Sequence, residues 1–147
     1  MAKNQAAYFL STQSWVFSNP ISNQTAVLLL TGDADDTWVY DIVVTSTAPN
    51  ALDAELYLES AGGIKLPLKR LISPGNAILI GQGTSTANPL RLMQASDGNQ
   101  ITVRLLDRDQ NYYLPVPSGV KLYFKLNTTP SSGGSVTVGV FKRDFTG

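Results

Sequence analysis

Residues 52–60 read Leu52-Asp53-Ala54-Glu55-Leu56-Tyr57-Leu58-Glu59-Ser60. Leucine and alanine alternate here with carboxylates and a tyrosine. Successive side chains of a β-strand point to opposite faces, so the stretch predicts a strand with one buried and one wet side. A helix would scatter the leucines around its circumference. The stretch therefore indicates β-structure.

The same alternation recurs along the chain, at residues 37–46, 64–69, 101–106, 120–126 and 136–141. Short apolar runs at 24–31 and 76–81 are further candidate strands. Turn-forming residues separate these segments, and Ala61-Gly62-Gly63 predicts a hairpin. About eight strands at this spacing predict an all-β fold, an antiparallel two-sheet sandwich or jelly roll.

The pattern also predicts which side chains form the core. We expect the following to be mostly buried: Trp38, Tyr40, Ile42, Val44, Leu56, Leu58, Leu122, Phe124, Val136 and Val138. Both faces of 37–46 are apolar, which fits a central strand covered on both sides. Pro67 has no N–H to give a ladder and predicts an edge strand around it. Residues 82–99 predict a long loop.

The chain has 147 residues, which fits one domain with a real core. Residues 1–18 precede the regular pattern, and we interpret them as an N-terminal extended arm on a sandwich domain of residues 19–147. No segment approaches the ~20 apolar residues that cross a bilayer, so no membrane association is expected. The short apolar stretch near the N-terminus does not resemble a signal peptide.

The composition argues against several classes of function. There is no cysteine or histidine, which removes thiolate nucleophiles, the commonest general base and the usual zinc ligands. Serines lack that base and a Gly-x-Ser-x-Gly elbow. Eleven basic and 11 acidic residues cancel, with no basic run to attract nucleic acid. We therefore expect no enzyme, no cofactor, no metal and no nucleic-acid partner.

Two acidic clusters could suggest calcium. Asp33, Asp35 and Asp36 supply several carboxylates close together. A polar turn between two strands is favoured, because such turns are common. The stretch that begins with Asp107, Asp109 and Asn111 has the first spacing of an EF-hand loop. Its sixth position is Tyr112 where that loop needs glycine, so a hairpin tip is favoured.

A third acidic group invites a comparison with glycosidases. Asp53, Glu55 and Glu59 share one face of the 52–60 strand, and the first two lie about 7 Å apart by strand rise. A catalytic acid needs a pKa raised by burial or by a neighbour. These carboxylates project from the predicted wet face, so we interpret them as a solvated surface.

The N-terminal segment carries the candidate contact residues. Large apolar side chains occupy an uncharged stretch, and we predict that they bind a partner: Tyr8, Phe9, Leu10, Trp15 and Phe17. A soluble protein must cover such a patch. The segment either packs as an extra strand on its own sandwich or reaches a neighbouring subunit and adds a strand or an aromatic anchor there.

Four stretches carry a family resemblance. They are Asp36 to Thr45, Glu55 to Ile64, Tyr113-Leu114-Pro115-Val116-Pro117-Ser118-Gly119-Val120-Lys121-Leu122-Tyr123, and the Val-rich strand from Val136 to Phe145. Over roughly residues 24–145 the chain resembles a group of small tailed-phage virion proteins.

The resemblance implies a role on the phage particle. It implies a capsid decoration, or cement, subunit that binds the major capsid protein and stabilises the head. Made in the host cytoplasm, it would sit on the capsid surface of the virion as a homotrimer or other homo-oligomer. The alternative is a head-fibre or tail module that recognises a host surface glycan. Exposed aromatics on loops would favour the glycan, and an apolar flank with a terminal arm would favour assembly.

Overall fold

The computed structural model of the chain describes residues 12–50, 52–73, 79–80, 105–107, 109 and 112–145. All regular structure there is β-strand, and no helix that could cross a membrane occurs in those ranges. The strands are β1 (Thr12–Phe17), β2 (Val27–Thr31), β3 (Thr37–Ser46), β4 (Leu52–Glu59), β5 (Lys65–Ser73), β6 (Leu79–Ile80), β7 (Leu105–Leu106), β8 (Tyr112–Val116), β9 (Lys121–Leu126) and β10 (Val136–Asp144).

The strands form two antiparallel sheets. The first sheet has the order β1-β10-β3-β8-β7, with the two-residue strand β6 also paired to β3. The second sheet has the order β2-β9-β4-β5. Setting aside the two-residue strands β6 and β7, eight strands remain, four in each sheet. The predicted all-β two-sheet sandwich is confirmed.

The core lies between the sheets and follows the alternation in the sequence. On β4 the side chains of Leu52, Ala54 and Leu56 face inward with at most 1% exposure. On β9 and β10 the inward positions are Leu122, Phe124, Leu126, Val136, Val138 and Val140, all buried. Eight of the predicted core residues are therefore confirmed: Ile42, Val44, Leu56, Leu58, Leu122, Phe124, Val136 and Val138.

The predictions for Trp38 and Tyr40 are wrong. Both side chains are half-buried on the outer face of β3, while Val39 is fully buried in the core. The cause is an irregularity in the pairing with β10: Phe141 lies opposite Asp41, but the next residue lies opposite Val39. This bulge shifts the alternation by one residue.

The turn of the second sheet's hairpin agrees with the predicted chemistry. β4 and β5 are joined at Ala61-Gly62-Gly63, where the N–H of Ser60 donates to the carbonyl oxygen of Ile64 at 2.8 Å. Gly63 adopts φ +86°, a conformation that side chains disfavour. The strand that contains Pro67 is β5, at the edge of the second sheet, as predicted.

Part of the N-terminal segment belongs to the sandwich. β1 pairs with β10 over its whole length without a register shift, from Thr12 opposite Asp144 to Phe17 opposite Gly139. Residues 12–17 thus follow the alternative in which the segment adds a strand to its own sheet. β1 is also one of the two edge strands of the first sheet. Residues 82–99, for which a loop is predicted, lie outside the described residues.

Candidate functional site: an aromatic band on the first sheet

Aromatic side chains form a continuous row across the outer side of the first sheet, here called the aromatic band. In spatial order the rings are those of Phe17, Trp15, Phe141, Tyr40, Tyr113, Trp38 and Phe145. Consecutive ring centroids lie 6.0, 5.1, 6.4, 6.2, 4.0 and 4.5 Å apart. Contacts at this spacing are favourable beyond the area they bury.

The band follows from strand geometry. Trp15 and Phe17 alternate along β1 with Ser14 and Val16, and the less exposed members of each pair face inward. Residues directly opposite in an antiparallel pair lie on the same face, so Trp15 stands beside its partner Phe141. The bulge on β3 places Tyr40 on this outer face as well, since it moves that ring out of the core. Four neighbouring strands thereby contribute rings to one surface.

Exposure falls along the band. Phe17 is 69% exposed and Trp15 is 44% exposed at the β1 end, whereas Tyr113 and Phe145 are buried at the other end. The buried end is part of the packed structure of the domain. The β1 end leaves two large rings in solvent, and such patches mark interaction surfaces.

Gly139 lies beneath the exposed end of the aromatic band. It is the register partner of Phe17 on β10. A Cβ built on Gly139 would lie 3.2 Å from two carbon atoms of the Phe17 ring and 3.5 Å from Trp15. The missing side chain therefore allows the Phe17 ring to lie against the sheet. The planes of the Phe17 and Trp15 rings are nearly parallel, with 4° between them.

A cleft continues the apolar surface around the edge of the sheet. It has a volume of about 500 Å³ and lies between the end of β1, the following connection and β2. Val27 and Leu29 contribute to its apolar wall, and serine and asparagine residues of the connection contribute polar groups. Phe17 and Leu28, which is 46% exposed, both line it. The exposed apolar surface thus extends from the first sheet to the edge of the second.

Polar groups hold the middle of the band. The hydroxyl of Tyr40 donates to Oδ2 of Asp107 at 2.8 Å, and Oδ1 of Asp107 accepts from the N–H of Asp109 at 2.8 Å. The guanidinium of Arg143 lies 5.5 Å from the centroid of the Tyr40 ring. Burial, followed by the charge of Asp107, raises the pKa of Tyr113. These groups fix the rings in place.

The outer face of the second sheet has a different character. Across β4 and β9, Glu55 lies opposite Lys125, Tyr57 opposite Tyr123 and Glu59 opposite Lys121. The two tyrosine rings stack at 5.2 Å, and the Lys65 ammonium lies 4.7 Å from the Tyr57 ring centroid.

Burial and neighbouring charges alter the ionisation of the central tyrosine of that face. Burial raises the pKa of Tyr57, and the charges of Glu59, Tyr123 and Glu55 raise it further. The glycosidase-like trio of Asp53, Glu55 and Glu59 occupies this outer face, opposite in direction to the core leucines. The trio thus lies on the side of β4 that the sequence predicts to face solvent.

The acidic cluster after β2 forms a turn. Oδ1 of Asp33 accepts from the N–H of Ala34 at 2.9 Å, and the carbonyl oxygen of Asp33 accepts from the N–H of Asp36 at 2.9 Å. Oδ1 of Asp36 accepts from the N–H of Ser118 at 3.0 Å. These are the hydrogen bonds of the polar turn that the sequence favours. No group of three potential metal ligands lies together in the described ranges.

The second acidic stretch joins two antiparallel strands. Leu106 of β7 pairs with Tyr112 of β8, so Asp107 and Asp109 lie in the connection between paired strands, as the hairpin prediction requires. Nearby, Ser118 and Lys121 have the Ser-x-x-Lys spacing of some acyl-transfer enzymes. On a helix that spacing would bring the two side chains to one face, whereas here it spans a turn and the start of β9.

The predicted partner-binding residues fall in two groups. Trp15 and Phe17 lie side by side at the exposed end of the band. Tyr8, Phe9 and Leu10 lie outside the described residues. Sequence reasoning missed Phe141 and Gly139, which complete the exposed end. Their signal was the alternation of β10, where Thr137, Gly139 and Phe141 take the positions between the core valines.

Comparisons with known proteins add no relative. No protein-family model, curated protein or solved structure matches the chain. Function is therefore inferred from the surface itself and from the resemblance described above.

Proposed function

We propose that this chain is a structural subunit of a phage virion, a capsid decoration protein that binds the major capsid protein through the exposed end of the aromatic band. One observation carries the proposal: Trp15 and Phe17 stand 44% and 69% exposed on a strand that is paired along its whole length, within the segment for which the sequence predicts partner contact. A preformed surface of this kind can bind a partner with little rearrangement.

The chemistry of the surface supports a protein partner. Tryptophan and other aromatics dominate the energetics of protein interfaces, where they fill pockets and exclude water. Covering Trp15 and Phe17 completely would contribute on the order of 1.5–3 kcal/mol each before ordering costs. Phe141 and Gly139 hold the two rings against the sheet, so little side-chain entropy remains to be lost on binding.

The direct test is binding to capsids that lack the protein. Trp15→Ser and Phe17→Ser remove the exposed rings without touching the core, and Ile64→Ser is the matched control. Ile64 is 75% exposed but lies in the hairpin of the second sheet. We expect each aromatic change to weaken capsid binding by about tenfold or more, and the control to bind like wild type. Wild-type affinity in both aromatic variants would refute the proposal.

A second candidate function has an observation of its own. The Trp15 and Phe17 rings are exposed, and their planes are parallel within 4° at a centroid distance of 6.0 Å. Exposed aromatic rings are also surfaces on which sugars stack. In this alternative the chain is a head-fibre or tail module for a host glycan. The exposed rings lie on a strand and not on loops, which favours assembly. Glycan-array binding that Trp15→Ser abolishes, without any binding to capsids, would favour the alternative.

A further inference from the structure

The free side of β1 presents backbone groups as well as rings. The N–H of Ser18 donates to the carbonyl oxygen of Val138 at 2.8 Å. Positions that bond to a neighbouring strand alternate along an antiparallel strand with positions whose N–H and C=O point away from it. Phe17 precedes Ser18, so its backbone groups point to the free side, and the same alternation applies to Trp15 and Gln13. In the described part of the chain no strand pairs with that side.

Nothing on β1 protects this edge. Proteins usually block an edge strand with a charge, a proline or a bulge. Thr12–Phe17 contains no charged residue and no proline, and its pairing with β10 has no register shift. An uncharged, regular strand of six residues is competent to pair with another strand.

We propose that the free edge of β1 pairs antiparallel with β1 of a second copy of this chain, with Trp15 at the two-fold axis. In this register Trp15 faces Trp15 of the second copy. Gln13 of each copy faces Phe17 of the other. The three outward-facing residues of each copy then form about six main-chain hydrogen bonds. The two first sheets become one continuous sheet.

The side chains of β1 suit self-pairing. A two-fold axis perpendicular to the sheet keeps outer faces together, so the exposed ends of both aromatic bands meet across the axis. Phe17, the most exposed ring of the band, gains Gln13 of the second copy as a neighbour. No like charges are brought together, because the strand is uncharged. The dimer would present one apolar surface twice as wide. The pairing does not depend on what that surface binds.

The test uses the special position of residue 15, which faces its own copy only in this dimer. Mass in solution is measured over a wide concentration range for the full chain, for Trp15→Glu, for Trp15→Lys and for their equimolar mixture. We expect wild type to dimerise and each charged variant to raise the dimer dissociation constant about tenfold or more, because like charges then lie directly opposite. Mixing the variants restores a dimer that contains one copy of each.

A backbone variant separates this proposal from the capsid proposal. Gln13→Pro removes an N–H on the free side but leaves every ring of the band, and Gln13→Ala is its control. We expect only the proline variant to lose the dimer, with the circular dichroism spectrum unchanged and capsid binding retained at high concentration. A wild-type chain that stays monomeric, or charged variants that neither weaken nor rescue association, would overturn the proposal. Dimer loss and capsid affinity are measured separately, so either proposal can fail alone.

Discussion

The two sheets share one core, but their outer surfaces and edges differ in chemical character. The first sheet carries the aromatic band and ends at β1, which has no charge, proline or bulge. The second sheet carries a tyrosine pair between glutamates and lysines and ends at β5. Just before β5, the N–H of Ser60 donates to the carbonyl oxygen of Ile64. By the alternation of an antiparallel pair, the backbone groups of Lys65 and Pro67 therefore point to the free side of β5.

The two edges differ in whether their backbone can pair with a further strand. Pro67 places a residue without an N–H at an outward-facing position, and a register shift follows it on the paired strand between Leu56 and Tyr57. Lysine and arginine add charge along β5. These features block strand addition. Of these two edges, β5 is therefore closed to strand addition and β1 is open, which supports the proposal that β1 binds a partner.

The largest expected effect tests the core that both sheets share. Leu56 is fully buried on β4, and Leu66 is 53% exposed on β5. We expect Leu56→Ala to lower the free energy of unfolding by about 2–5 kcal/mol, because it leaves a cavity, and Leu66→Ala by less than about 1 kcal/mol. Urea denaturation measures both. Equal losses would contradict the burial pattern on which the comparison depends.

A smaller effect distinguishes the two sides of β1. The N–H of Ser14 points toward β10 and that of Gln13 points away from it. Ser14→Pro should lower the free energy of unfolding by about 1–3 kcal/mol, since it breaks a ladder hydrogen bond, whereas Gln13→Pro should cost less than about 1 kcal/mol. Both are measured by denaturation at a concentration that keeps the chain monomeric. The reverse order would show that the register of β1 is wrong.

Alkaline titration compares the tyrosines of the two sheets. The pKa values of Tyr57 and Tyr113 are raised from 10.0, chiefly by burial. The folded state therefore keeps these protons after the unfolded state has released them. Stability is fully present below about pH 10 and falls as the pH rises through the folded pKa values. Unfolding measured against pH should show this loss, and Tyr57→Phe and Tyr113→Phe should each reduce it; an unchanged slope in both variants would contradict the assigned environments.

The smallest effect on stability converts the closed edge into an open one. Pro67→Val restores an outward-facing N–H on β5 and should change the free energy of unfolding by no more than about 0.5–1 kcal/mol. We expect a concentration-dependent increase in mass beyond that of wild type, because a second edge can then pair. Pro67→Gly, which adds the N–H without a strand-favouring side chain, should show a weaker increase. No increase in either variant would show that proline does not close this edge.

Much of the fold could be predicted because most strands bury only one face. The leucines of β4 and the valines of β10 specify their register unambiguously. β3 could not be predicted in the same way, since apolar residues lie on both of its faces and the bulge opposite Phe141 and Lys142 decides which of them face the core. That bulge depends on pairing with a distant strand, which no local pattern records.

The candidate site was predictable only in part. An uncharged aromatic run predicts Trp15 and Phe17 as contact residues. It could not distinguish an arm from an edge strand, because both need the same composition. Gly139 and Phe141 became part of the site only through the pairing of β1 with β10, across a large distance in sequence.

Amide hydrogen exchange at low and high protein concentration tests the central claim, that β1 is the open edge and β5 the closed one. The account predicts that the amides of Gln13, Trp15 and Phe17 exchange more slowly at high concentration, because they then donate to a second copy. The outward-facing amide of Lys65 on β5 should exchange at the same rate at both concentrations. Unchanged exchange at Gln13, Trp15 and Phe17, or equal slowing at Lys65, would contradict the account.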